Sequence, residues 1–145
     1  MAAESMVHAL RRTTELLTPD GVLIDLHPTT DFPNLAIIHR DGREEPLGPL
    51  VSESARDRHA AADCAIAATI AEGTLAREAA AIFVFSRYSD ALDELADYVN
   101  AKWTTRFDDD LREAARRRLT PGCRLRLWEY VSIQALRAAR TEVSS

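Results

Sequence analysis

The fold is decided by the stretch LTPDGVLIDLH, residues 17–27. Pro19 cannot continue a helix and Gly21 tolerates a turn conformation, so a helix over about residues 3–17 ends here. Three consecutive apolar residues, 22–24, follow and predict a strand that continues to His27 and is covered on both faces. A helix that stops directly before such a strand is typical of domains in which helices pack on a sheet.

The rest of the chain divides into further strand and helix patterns. The predicted strands are residues 35–39 and 43–47, joined by a tight Asp41-Gly42 turn, and residues 79–88 and 123–136. The predicted helices follow Ser54, Ser89 and the acidic run 108–110, in which Asp110 and Glu113 fit a capping box. We therefore expect an α/β protein of the α+β kind, with a mixed sheet of about four to five strands and helices packed on it. We expect a single domain over residues 1–137, with a frayed tail over 138–145.

Composition excludes several classes of protein. The chain has 145 residues, of which 46% are hydrophobic, and this argues against disorder. A net charge of −5 disfavours nucleic acid as a partner. No apolar run is long enough to span a membrane, and residues 1–15 lack the order of a signal peptide. Cys64 and Cys123 have no CxxC spacing, which indicates buried thiols in a reducing cytoplasm; a disulfide or a reactive thiol is the alternative.

No complete cofactor or metal motif is present in the sequence. None of the five glycines has GxG spacing, so a dinucleotide loop and a Walker loop are both excluded. The acidic run 108–110 suits a helix start better than a divalent cation, because carboxylates complement the helix dipole. The basic run 116–118 spreads around a helix and indicates a solvated face, with an anion or partner contact as the alternative.

The weak candidates for catalysis are Asp25 and His27, two residues apart at the end of the first strand. Two such side chains on one face can act as an acid–base pair, and the alternative is a pair that only hydrogen-bonds a neighbouring turn. If a substrate pocket opens at the mouth of this strand, its candidate walls are Arg87, Tyr88 and Trp103. We expect no metal ligand and no cofactor-binding residue in the isolated chain.

The stretches ALRR at residues 9–12 and LLTPDGVLID at residues 16–25 resemble class I S-adenosylmethionine-dependent methyltransferases. In that family a helix ending in a Leu-x-Pro-Gly-Gly turn leads into the fifth strand of a Rossmann-like sheet, and Asp20 stands here for the first glycine. A strand at 79–87, a helix similar to the family's last helix and a final strand at 123–136 follow in the same order. The resemblance is to the C-terminal half of such an enzyme.

The resemblance implies that the half which holds the cofactor is missing. The family binds S-adenosylmethionine through a glycine-rich loop after its first strand and an acid after its second, and neither has a counterpart in this chain. The cofactor is therefore expected only if a partner chain completes the site. The one position that can be carried over is the mouth of the fifth strand, at His27 and Asp25, where substrate-facing groups often sit.

The resemblance also leaves the edge of strand 22–27 bare, since the family's fifth strand is paired on both sides. An apolar unpaired edge must be covered, and the candidates are the 35–40 hairpin, a second copy in a homodimer, or a partner protein. The first hypothesis is accordingly a non-catalytic interaction or oligomerisation protein, located in the cytoplasm. The second is a small-molecule-binding protein or enzyme with a pocket at the end of strand 22–27. A methyltransferase-related transferase completed by a separate N-terminal chain is the third.

Overall fold

A computed structural model describes residues 3–103 and 105–140. The helices are α1 (Ala3–Leu16), α2 (Glu53–Ala71), α3 (Leu92–Lys102) and α4 (Asp109–Arg118). The strands are β1 (Leu23–Pro28), β2 (Asn34–Ile38), β3 (Glu44–Pro49), β4 (Leu75–Ser89) and β5 (Arg124–Ala138). The expected class, helices combined with a sheet of about four to five strands, is confirmed: the described residues form five strands in one open sheet. This sheet is antiparallel, where a mixed sheet was expected.

The long strand β5 organises the sheet by pairing with three others. Its residues 131–136 pair antiparallel with β1, and its residues 124–128 pair antiparallel with β2. The β2–β3 hairpin continues from there, and β4 also pairs with β5. The hairpin therefore extends the sheet from β5 and does not pair with β1. Within the described residues, β5 is the only strand paired with β1, so one expected cover for the 22–27 edge is not realised.

The chain folds as two compact units that interleave along the sequence. The first contains the described residues 3–28, 57–83 and 131–140. Its core is small: Ile66, Leu75 and Leu136 are buried, and Leu10 of α1 and Leu23 of β1 pack against them. No described residue of α1 is fully buried, so this helix depends partly on polar contacts with the rest of its unit.

One of those contacts is a two-point ion pair. The Arg11 guanidinium donates to both carboxylate oxygens of Glu72, at 2.8 and 2.5 Å, and Thr74 donates to the same carboxylate at 2.8 Å. These donors lower the pKa of Glu72 to about 2, chiefly through the hydrogen bond from Arg11. The pair ties α1 to the end of α2.

The second unit contains the described residues 29–56, 84–103 and 105–130 and has the larger core. The inward residues of β2 and β5 pack against the apolar sides of α3 and α4. The members contributed by these four elements are Leu35, Ile37, Leu125, Leu127, Leu92, Leu95, Ala96, Val99, Leu111 and Ala115.

Several local expectations need correction. Cys123 is buried as expected, but Cys64 is exposed. The side chain that accepts a hydrogen bond at the start of α2 is Ser52 and not Ser54. Helix α4 is capped by Asp108, whose carboxylate accepts the Leu111 N–H at 2.7 Å, in place of the Asp110 capping box. The start of the tail, expected to be frayed, is hydrogen-bonded to the rest of the chain, because the Ala139 N–H donates to the Thr74 carbonyl. Residues 141–145 of that tail lie outside the described residues.

Candidate functional site

Asp25 and His27 lie on the same face of β1, as their spacing predicts. The expectation that this strand is covered on both faces is wrong, because Ile24 and Leu26 are exposed. Only the face with Asp25 and His27 is largely covered. Pairing with β5 places Gln134 opposite Asp25 and Ser132 opposite His27. The sheet thus presents four polar side chains together within the first unit.

The imidazole of His27 lies between two carboxylates. Its Nδ1 is 2.9 Å from Asp25 Oδ2, and its Nε2 is 2.9 Å from Asp63 Oδ1. Only 11% of the His27 side chain is exposed. Asp63 belongs to α2, so this contact connects β1 to the helix that covers it.

A further pair of side chains orients the Asp25 carboxylate. Gln134 of β5 donates its side-chain Nε2–H to Asp25 Oδ2 at 3.3 Å, and Arg77 Nε of β4 donates to Gln134 Oε1 at 2.8 Å. The polar chain therefore extends from β4 through β5 and β1 to α2. Because each member is held by another, the His27 ring has little rotational freedom.

His59 stacks on this cluster. Its ring lies 6.4 Å from the His27 ring, centroid to centroid, with 27° between the planes. Burial lowers the pKa of His59, and the positive charge of His27 acts in the same direction. His59 therefore favours its neutral form beside a ring that two carboxylates surround.

The hydrogen bonds define what His27 can do. Each of its two ring nitrogens is engaged by a carboxylate oxygen, so neither nitrogen is directed at open solvent or a ligand. We call this arrangement, in which His27 connects the carboxylates of Asp25 and Asp63, the clamp. The assignment of His27 and Asp25 to catalysis stays a prediction. Among the residues that the structure describes, no cluster of three or more His, Cys, Asp or Glu is arranged to hold a metal ion.

Two cavities border the clamp. An open groove of about 530 Å³ is lined by Asp63, Arg77, Gln134 and Ser132 together with the β4 residues Ala80, Ala81 and Ile82. A smaller pocket of about 220 Å³ is almost entirely apolar, with Asp25 as its only charged wall. Most of its lining comes from α1 and α2.

The residues expected as pocket walls can be described only within their own unit. Arg87, Tyr88 and Trp103 belong to the second unit, where each has contacts of its own. The Arg87 guanidinium lies 4.0 Å from the centre of the Tyr98 ring, and that of Arg124 lies 5.0 Å from the Tyr88 ring. Trp103 packs against the core of its unit.

The charged runs have structural partners. Asp108 caps α4, which favours the helix-start interpretation of the acidic run. Arg116 pairs with Asp93, and Arg118 pairs with Glu45 at 2.6 Å. Asp63, the residue that sequence analysis missed, lies four positions after His59 on α2. That spacing places both on one helix face and was the available signal.

The chain was compared with protein-family models, curated proteins and solved structures. No family model, curated protein or solved structure matches it. In the described part of the chain, no helix is both long and apolar enough to cross a membrane.

Proposed function

We propose that this protein is a non-catalytic self-association domain that forms a homodimer through β4. One observation carries the proposal: every residue from 76 to 85 of this 15-residue strand is exposed. Successive residues of a strand point to opposite faces. Both faces of β4 are therefore open to solvent in a single chain.

The exposed residues include four consecutive large apolar side chains. The exposed fractions are 66% for Ile82, 42% for Phe83, 45% for Val84 and 43% for Phe85. Among the described strands, β4 pairs only with β5, so its other edge carries unpaired backbone N–H and C=O groups. A long, apolar, unpaired edge strand is a template for pairing with another chain, and stable monomers avoid it.

The sequence of β4 suits a second copy of itself. Two identical antiparallel strands related by a two-fold axis pair residues of the same face, so the axis passes through one residue that faces its own copy. With Phe83 on the axis, small side chains face large ones and a carboxylate faces a phenol. The facing pairs are Ile82 with Val84, Ala81 with Phe85, Glu78 with Tyr88 and Arg77 with Ser89.

Neighbouring registers are less favourable. With Ile82 on the axis, Arg77 faces Arg87, and like charges directly opposite destabilise a strand pair. With Val84 on the axis, Glu78 faces Asp90 just beyond the strand. The register centred on Phe83 is therefore the one that we propose.

Cysteine cross-linking tests the interface and its register together. In a background where Cys64 and Cys123 are serine, Phe83→Cys places two Cα atoms about 4.5–5.5 Å apart, within disulfide range. The matched control Ile82→Cys offsets the two cysteines by two residues along the strands, about 6.6 Å, and this exceeds disulfide range when combined with the strand spacing. We expect the first variant to form a cross-linked dimer under mild oxidation and the second to stay uncross-linked. Equal cross-linking of both, or none in either, contradicts the proposal.

A second candidate involves β1. Ile24 and Leu26 of this strand and Val22 just before it are exposed, and among the described strands β1 pairs only with β5. This is the edge that the methyltransferase resemblance leaves bare, to be covered by a partner chain that supplies the S-adenosylmethionine site. That resemblance and the completed enzyme stay predictions. We favour β4 because its exposed residues are more numerous and lie on both faces.

A further inference from the structure

Adjacent strands bring a thiol, an imidazole and a carboxylate together in the second unit. His39 follows the last residue of β2, and Cys123 precedes the first residue of β5. Because Ile38 pairs with Arg124, His39 and Cys123 come one residue beyond the last pair of that ladder. Glu45 lies on β3, the other neighbour of β2.

The distances form a relay of hydrogen bonds. Glu45 Oε2 is 2.8 Å from His39 Nε2, and His39 Nδ1 is 3.7 Å from Cys123 Sγ. A carboxylate only accepts, so Nε2 must carry the proton of a neutral ring. Nδ1 is then a lone-pair acceptor directed at the thiol. The second oxygen of Glu45 accepts from Arg118, and this contact fixes the carboxylate.

A rigid turn sets the position of the sulfur. The Cys123 N–H donates to the Thr120 carbonyl at 3.0 Å, across Pro121 and Gly122, and Gly122 has φ of +86°. The Thr120 hydroxyl lies 3.2 Å from Sγ. The Arg40 side chain lies against Gly122 so closely that a Cβ there would be 1.9 Å from Arg40 Nε. A cationic side chain thus borders the residue next to the thiol.

We propose that Cys123 is a base-activated nucleophile that undergoes thiol–disulfide exchange with small disulfides. His39 Nδ1 accepts the thiol proton, and Glu45 stabilises the imidazolium that forms. The thiolate attacks one sulfur of the disulfide, an S–S bond forms to Cys123, and the original S–S bond breaks. The departing thiolate takes the proton back from His39, so no outside oxidant is needed.

Two features favour a small disulfide over an acyl substrate. Cys123 is only 7% exposed, so a reagent must be compact to reach it. Acyl transfer needs N–H donors aimed at a developing oxyanion, and the Cys123 N–H is already committed to the Thr120 carbonyl. Exchange at sulfur has no such requirement.

The test uses cystamine as the small disulfide and mass spectrometry as the readout. In Cys64→Ser, which leaves Cys123 as the one thiol, we expect one mixed disulfide per folded chain, formed at least as fast as at exposed Cys64 in the matched variant Cys123→Ser. His39→Gln and Glu45→Gln should each slow the reaction at Cys123, the first on the order of 10²-fold.

A purely structural thiol gives the opposite pattern. It would be labelled only as fast as the protein unfolds, measured in parallel by circular dichroism, and loosening the contact with His39→Gln would accelerate labelling. Either result overturns the proposal. Should His39→Gln fail to fold, Glu45→Gln decides, because it keeps the shape of the side chain and changes only its charge.

Discussion

Replacing Ile82 with lysine should dissociate the dimer. Ile82 is 66% exposed in one chain. Full burial of an isoleucine is worth about 1.5–3 kcal/mol, so covering two-thirds of it contributes about 1–2 kcal/mol per copy. Because a symmetric interface contains the residue twice, the loss is about 2–4 kcal/mol, which raises the dimer Kd roughly 30- to 700-fold.

The matched control is Leu26→Lys on β1, where the replaced side chain is similarly exposed, at 58%. Sedimentation equilibrium of the unmodified protein and both variants over a range of concentrations measures the three Kd values. We expect the unmodified protein and Leu26→Lys to dimerise equally well and Ile82→Lys to be shifted toward monomer. A dimer that is lost in Leu26→Lys and retained in Ile82→Lys would place the interface on β1 and refute the reasoning.

Three further predictions concern electrostatics and the cofactor. Glu72→Gln should lower the free energy of unfolding at neutral pH and flatten its decline between pH 4.5 and about 2, measured by urea denaturation, because the folded-state pKa of Glu72 is depressed to about 2. A variant that unfolds with the same acid limb as the unmodified protein contradicts this. Glu129→Gln should instead stabilise the protein at neutral pH and have no effect in acid, since burial raises the pKa of Glu129 in the fold and the resulting penalty appears as pH rises; equal stability of the two proteins at neutral pH goes against it. S-adenosylmethionine should leave the Tm of the isolated chain unchanged in a thermal-shift assay, and a concentration-dependent rise would mean that the chain binds the cofactor without its glycine-rich loop.

Local patterns predicted much of the fold. The turn at Pro19 and Gly21, the Asp41-Gly42 hairpin and the α+β class follow from backbone preferences and periodicity, which act over a few residues. The burial of β5 shows where this stops. Its residues Leu125, Leu127 and Val131 are buried in one alternation. Farther along, Gln134 and Leu136 are buried in the opposite alternation, and Ile133 is only half-buried. The alternation of apolar and polar residues along a strand does not predict which other elements will cover each part of it.

The contacts of the candidate sites depend on long-range pairing. Asp63 contacts His27 from 36 positions away, and His39 contacts Cys123 across 84. The two-residue spacing from Asp25 made His27 a candidate, whereas no sequence pattern around Cys123 predicts its contact with His39. That contact comes from the register of β2 against β5, which single-sequence patterns do not specify.

The exposure of β4 differs from expectation in an informative way. Apolar residues on both faces predict a central or covered strand, whereas a single chain leaves residues 76–85 exposed. A hydrophobic pattern indicates which residues are buried. It does not show whether they are buried by the same chain or by a second one. Self-association through β4 would bury these residues and so remove the difference between the expected burial and the observed exposure.

Amide hydrogen exchange of the unmodified protein tests self-association through β4 most directly. Exchange is followed at a concentration well above the dimer Kd and at one well below it, with residues 76–88 compared to β1. We expect alternate amides of β4, those on the edge facing away from β5, to be protected at high concentration and to exchange rapidly on dilution, while β1 exchanges equally at both. Concentration-independent exchange along β4 would contradict the account.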